Sequence, residues 1–203
     1  MARKKSPEIR KEEIFKAALD SFNAGGYFKT SIENIAHKAG ISKGGIYHHF
    51  ASKKELFIEL FHTCADRYFE YLRQTVHVSG DSAENMCEIV RKSDELFQKN
   101  REILKFCLEF ITLGTRDEEI RGAVTAFYRN RVSIFADMLA EGVRQGIYKD
   151  IPVVDTARTL YFLSMGFFLT FFTIHIDFNP VTQHTINMTT ILDGIRTTTA
   201  SNP

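Results

Sequence analysis

The run Ser42-Lys43-Gly44-Gly45-Ile46-Tyr47-His48-His49 gathers a hydroxyl, an ammonium, two bare backbone positions, a phenol and two imidazoles. Groups of this kind, small at one end and cationic, suit hydrogen bonds to base edges and phosphates. Glycines at the start of such a run let the backbone come close to a partner. Other groupings are poorer. His48 and His49 are neighbours, and successive helical side chains diverge, so they do not share a metal. His62-x-Cys64 has the wrong spacing for one helix face. His175-x-Asp177 with His184 is a better hard-metal set, but it reads first as a polar helix end and loop. Cys64, Cys87 and Cys107 each sit in a helical pattern and read as packing residues. A phosphate-cradling glycine loop and a nucleophile elbow are both missing. An enzyme reading therefore has no residues to stand on, and no metal or cofactor is implied.

The elements that would hold the Ser42 run are legible around it. In residues 8–24, Ile14, Phe15, Ala18, Leu19 and Phe22 recur at steps of three and four, the period of an amphipathic helix. Gly25-Gly26 stops it. Thr30-x-x-Glu33 has the form of a capping box. A short helix follows, with Ile32, Ile35, Ala36 and Ala39 inward, and Gly40 can end it in the left-handed conformation. Ser42 is then the N-cap of a third short helix running to about His49. Two short helices joined by Ala39-Gly40-Ile41-Ser42 have the outline of a helix-turn-helix. Its interior would be Ile35, Ala36, Ala39, Ile41, Ile46 and Phe50. The pair of glycines at 44 and 45 lowers helix propensity by about 1 kcal/mol each.

Further along, the periodicity predicts helices over about 53–76, from Asp81-Ser82 to about 99, and over 101–114, 117–145 and 152–175. A last one begins after Asn179-Pro180 and reaches about Thr198. The chain reads as all-α with about nine helices, in 203 residues that carry 4 prolines and 12 glycines. Its charge is segregated. Residues 1–55 hold 11 Lys+Arg against 6 Asp+Glu, a balance of +5, whereas the remainder stands at −4. Without Arg3, Lys4 and Lys5 the first part still carries +2. That asymmetry suits a small module meeting a polyanion and a larger one that does not. Three cysteines imply no disulfide framework and fit a reducing cytosol. Residues 159–176 form an 18-residue stretch without formal charge. It reaches the lower limit for a membrane span but lacks flanking basic clusters, and it reads as a helix buried between two protein surfaces.

The residues Thr30-Ser31-Ile32-Glu33-Asn34-Ile35-Ala36, then Ala39 to Phe50, then Ser52-Lys53-Lys54-Glu55-Leu56 resemble the signature of the tetracycline-repressor (TetR) family. The resemblance covers roughly the first quarter of the chain. It departs at Gly45, where the family usually places a small side chain. It implies a DNA-binding domain over 1–52 and an effector-binding and dimerisation domain over 53–203. Carried over by position, it implies a phosphate contact for Thr30 or Ser31. Ser42, Lys43 and Gly44 would lie nearest base edges. Tyr47 and His48 would meet phosphates or bases, and Lys53 a phosphate.

The resemblance also implies a cytoplasmic regulator of transcription, a repressor acting as a homodimer on a palindromic operator. Its recognition helices would stand about one DNA turn apart, roughly 34–36 Å. A small apolar effector between the C-terminal helices would shift the long helix at 53–76 and release the operator. Aromatic residues on separate helices are the candidate lining: Phe106, Phe110, Phe127, Tyr128, Phe167 and Phe171, with Glu109, Arg131, Tyr161 and Ser164 as polar anchors. The last two helices would form the dimer interface through Gly166 and the stripe Met188, Ile191, Leu192 and Ile195.

Overall fold

The structure, a computed structural model, describes residues 6–75, 88, 90–92, 95 and 99–197, the side chains of 69 and 71–75 aside. Arg3, Lys4, Lys5, Val76, Cys87, Thr198 and the Asp81-Ser82 cap lie outside the described residues. Eight helices are formed among those residues: α1 (Pro7–Lys29), α2 (Ile32–Lys38), α3 (Lys43–Tyr47), α4 (Lys53–Thr75), α5 (Arg101–Leu113), α6 (Glu118–Arg144), α7 (Val153–Thr173) and α8 (Pro180–Ile195). Residues 88, 90–92, 95 and 99 are helical as well. The all-α reading holds, and among the described residues no helix is long and apolar enough to cross a membrane.

Local chemistry accounts for the ends. Ser6 caps α1 and Pro7 opens it, a position that lacks a partner for its missing N–H in any case. Gly26 adopts φ 74°, ψ 166° and breaks α1 one turn before Lys29. Gly40 at φ 66° ends the α2 turn as its lack of Cβ allows. The capping box differs from expectation. Ser31, not Thr30, accepts from the Asn34 N–H at 3.1 Å, and the Asn34 side chain accepts from the Ser31 N–H at 3.1 Å. Thr30 is instead turned inward, 5% exposed, with its hydroxyl 3.0 and 2.8 Å from the Ser21 and Gly26 carbonyls.

Packing groups the chain into two units: Met1–Tyr68 with Asn100–Ala123, and Phe69–Lys99 with Val124–Pro203. The reason is an aromatic core in the first unit, to which α1 gives Phe22, α4 gives Phe57 and Phe61, and α5 gives Phe106 and Phe110. All five are essentially inaccessible to solvent. Phe61 stacks on Phe110 with centroids 3.9 Å apart and rings 5° from parallel. Phe57 meets Phe22, Phe106 and Phe110 at 4.8, 5.1 and 5.0 Å.

The second unit is built on the rest of α6 with α7, α8 and Val90. Its core is Val132, Leu139, Tyr148, Ala157, Leu160, Tyr161, Met188 and Leu192 around that valine. Tyr148 is 2% exposed because α6 carries a glycine beneath its ring. A Cβ on Gly142 would stand 2.3 Å from Tyr148 Cδ2. The link after α6 is held by backbone bonds from the Ile147 and Tyr148 N–H groups to the Gly142 carbonyl. The Lys149 N–H reaches the Ile195 carbonyl at 2.9 Å, which ties this link to the end of α8.

Candidate nucleic-acid interface and effector region

The helix-turn-helix is held from within. Ile35, Ala36, Ile46 and Phe50 are buried, Ala39 and Ile41 half-buried. The Ile41 N–H donates to the Ala36 carbonyl at 3.0 Å, closing the turn. The Phe50 ring lies 5.6 Å from Phe15, docking the pair onto α1. Ser42 caps α3 by accepting from the Gly45 N–H at 3.1 Å, and its own proton stays available to donate. Ser42, Lys43, Gly44, Tyr47 and His48 are exposed together on this element. Ser31 is half-exposed at the start of α2. The expected face is thus a single surface: a hydroxyl, an ammonium, an open backbone, a phenol and an imidazole.

Lys43 is not isolated on it. Its ammonium is paired with the Glu33 carboxylate of α2 and lies 5.9 Å from the centre of the Tyr47 ring. The hydrogen bond between them holds the Glu33 carboxyl below, and the Lys43 ammonium above, its ordinary pKa. In the sequence Glu33 reads as the acidic member of a capping box; its pairing with Lys43, ten residues away, is a product of the fold.

Two residues expected at phosphates are turned elsewhere. The Thr30 hydroxyl is committed to carbonyls of α1 and is buried, which corrects its assignment as a phosphate donor. The Lys53 ammonium donates to the Tyr27 and Thr30 carbonyls at 2.7 and 2.9 Å and sits 4.4 Å from the Tyr27 ring centre. Burial draws its pKa below the usual lysine value. Lys53 therefore straps the α1–α2 turn. Behind the same turn, the Tyr27 N–H donates to the Glu109 carboxylate at 2.6 Å, which gives that proposed effector anchor a structural duty. Lys54 pairs with Asp117 at 2.7 Å and Glu119 at 3.3 Å.

The aromatic residues expected to line one cavity have different surroundings. Phe106 and Phe110 fill the core of the first unit ring against ring, and neither is exposed. The other four belong to the second unit. Phe127 carries the Arg131 guanidinium 5.1 Å from its centre. Tyr128 meets Tyr161 edge-on at 5.1 Å. Phe167 stacks on His184 at 4.5 Å, and Phe171 lies 6.2 Å from Phe167. His184 is buried, 3.3 Å from the Ser164 hydroxyl. Burial pushes the Tyr161 phenol pKa up.

The expected interface stripe divides between buried and half-buried positions. Met188 and Leu192 are 2% and 0% exposed and serve their own unit's core, with Ile191 and Ile195 packed partly against it. Gly166 is exposed, and a Cβ there would meet nothing within 4 Å. Phe162 and Leu169, 60% and 48% exposed, stand at helical spacing on either side of it. Ile186 on α8 is 49% exposed.

A short capped helix with an exposed polar face, set against α2 by a closed turn, defines a helix-turn-helix unit among the described residues, and comparison with known proteins agrees. Residues 14–60 match the family model of bacterial regulatory proteins, tetR family. The chain is 28% identical over 173 residues to the HTH-type transcriptional regulator YfiR of Bacillus subtilis, covering 79% of this chain and 82% of that one. It is 26% identical to the HTH-type transcriptional repressor KstR2 of Mycolicibacterium smegmatis, covering 73% and 72%. The fold superposes with a TM-score of 0.78 on FadR of Bacillus subtilis in complex with stearoyl-CoA, at 19% identity, over 91% of this chain and 99% of that one. Residues 14–60 thus carry the DNA-binding domain of the tetR family of bacterial regulatory proteins, and the chain is similar along most of its length to transcriptional regulators.

Proposed function

We propose that this regulator is a cytoplasmic repressor that binds a palindromic operator as a homodimer and is released by a small, mainly apolar effector. The observation that carries the reading is the shared exposure of Ser42, Lys43, Gly44, Tyr47 and His48 on one short capped helix. Ser42, Lys43 and Gly44 are the base-facing residues. Ser31, Tyr47 and His48 supply phosphate or base contacts, and Thr30 and Lys53 hold the turn behind them. A dimer is supported by Phe162, Gly166 and Leu169 along α7 and by Ile186 on α8, an apolar surface that a monomer would leave wet. Two-fold symmetry suits a palindrome.

The effector region is the second unit, with Phe127, Tyr128, Phe167 and Phe171 as lining and Arg131, Tyr161 and Ser164 as polar anchors. A relative that binds stearoyl-CoA supports an effector with a long apolar part. Effector and operator must oppose each other reciprocally. A 100-fold loss of DNA affinity corresponds to about 2.7 kcal/mol of coupling. The test is selection of binding sites from a random duplex pool, then calorimetry of an apolar ligand panel with and without the selected operator. Recovery of a palindrome bound at about 10⁻⁸ M or tighter is expected. Failure to enrich any sequence refutes the operator reading, and ligand affinity indifferent to operator refutes the release mechanism.

A further inference from the structure

We propose that Glu33 determines the specificity of DNA binding: in the free protein its carboxylate occupies Lys43 in place of a DNA phosphate, and so disfavours sequence-independent contact. The inference rests on the operator-binding reading above.

Lys43 is the first residue of α3, between Ser42 and Gly44, where a basic side chain would reach DNA. Its ammonium is held by Glu33 from the other motif helix, while the Tyr47 ring flanks it. Both partners are surface groups, with side chains 52% and 58% exposed. Capping does not require this carboxylate, because Asn34 makes the reciprocal bond with Ser31. A carboxylate therefore stands on the presented face of a module whose sequence is otherwise biased toward positive charge.

The physical consequence differs between two kinds of DNA. Sequence-independent binding draws nearly all its free energy from phosphates and released counterions. A lysine already paired inside the protein neutralises a phosphate, and so releases the counterions condensed on DNA, only by giving up its partner. An arriving phosphate must also displace Glu33 and then lie beside it. Non-specific DNA bears that penalty in full. At an operator the Lys43 ammonium, with three donors, keeps Glu33 on one and meets a base-edge acceptor with another, so the ion pair survives and no such penalty arises. Glu33 thus widens the gap between specific and non-specific affinity without touching a base.

The test uses the full-length protein, an operator duplex recovered by selection, and a scrambled duplex of equal length, titrated between 50 and 200 mM salt. For Glu33→Gln, binding to the scrambled duplex should strengthen about two- to fivefold, as expected for loss of an exposed ion pair. Its salt slope should steepen by about 0.9, one added phosphate contact. Operator affinity should rise by less, so the specificity ratio falls. In a Lys43→Gln background the same substitution should change neither slope nor ratio. The proposal is overturned if scrambled-duplex affinity and slope are unchanged, or if both duplexes gain equally. It is overturned too if the effect persists in Lys43→Gln, or if only the operator weakens, which would make Glu33 a base reader. A wild type that binds no duplex refutes the DNA-binding reading and this inference with it.

Discussion

Replacing Lys53 by Met distinguishes a structural strap from a phosphate ligand. Methionine keeps an unbranched apolar stem against Tyr27 but removes the ammonium. Lost with it are two charge-assisted hydrogen bonds, at 2.7 Å to the Tyr27 carbonyl and 2.9 Å to the Thr30 carbonyl, and the contact with the Tyr27 ring. Hydrogen bonds to charged groups contribute about 1.5–3 kcal/mol each when well buried. Lys53 is only half-buried, so water can replace part of each bond, and removing a partly desolvated charge recovers some free energy. The net expectation is a loss of about 1–2 kcal/mol, read as a lower urea midpoint with unchanged slope. Operator affinity should fall because the turn that aims α2 is loosened, yet the salt dependence should stay as in wild type. A phosphate ligand behaves oppositely: stability is kept and the slope flattens by about 0.9. Observing that second pattern would refute the strap.

Three other outcomes follow from the same geometry. Gly45→Ala should stabilise the protein by about 0.5–1 kcal/mol, because Ala gains helix propensity and its Cβ would lie at an ordinary 3.4 Å from Ile41 Cδ1; thermal denaturation measures it. Phe162→Asp should leave the fold intact, since the ring is largely exposed, but convert a dimer of two 23.3 kDa chains into monomers by sedimentation; a wild type that is already monomeric at micromolar concentration sinks the interface. Burial pushes the Cys64 thiol pKa up to about 11 from an ordinary value near 9, so between those pH values the unfolded chain has released a proton that the folded chain keeps. Stability should therefore fall with rising pH in that window, by about 1.4 kcal/mol per pH unit, and the fall should be shallower in Cys64→Ala when both are melted across the range.

Local rules alone determined much of this protein. Caps at Ser42 and Asn179, breaks at Gly26 and Gly40, and the apolar period of each helix act within a few residues, so they are visible in the order of residues. The helix-turn-helix was legible for the same reason: its turn, its small interior and its exposed polar face lie within Ser31–Phe50. What the tertiary structure decided is where each apolar or polar group is spent. Periodicity shows that Met188 and Leu192 share a stripe, but the stripe could serve a core or a partner, and only packing against Leu139, Tyr148 and Leu160 assigned it to the core. Phe110 and Phe167 look alike in sequence, yet one is stacked flat on Phe61 and the other on His184. Thr30 and Ser31 offer the same hydroxyl one residue apart, and the α1 carbonyls claimed Thr30, leaving Ser31 as the cap. Lys43 and Lys53 have the same charge. One meets the carboxylate of Glu33 on the surface and the other the carbonyls of a turn, because partners 10 and 23 residues away are brought near by folding rather than by sequence.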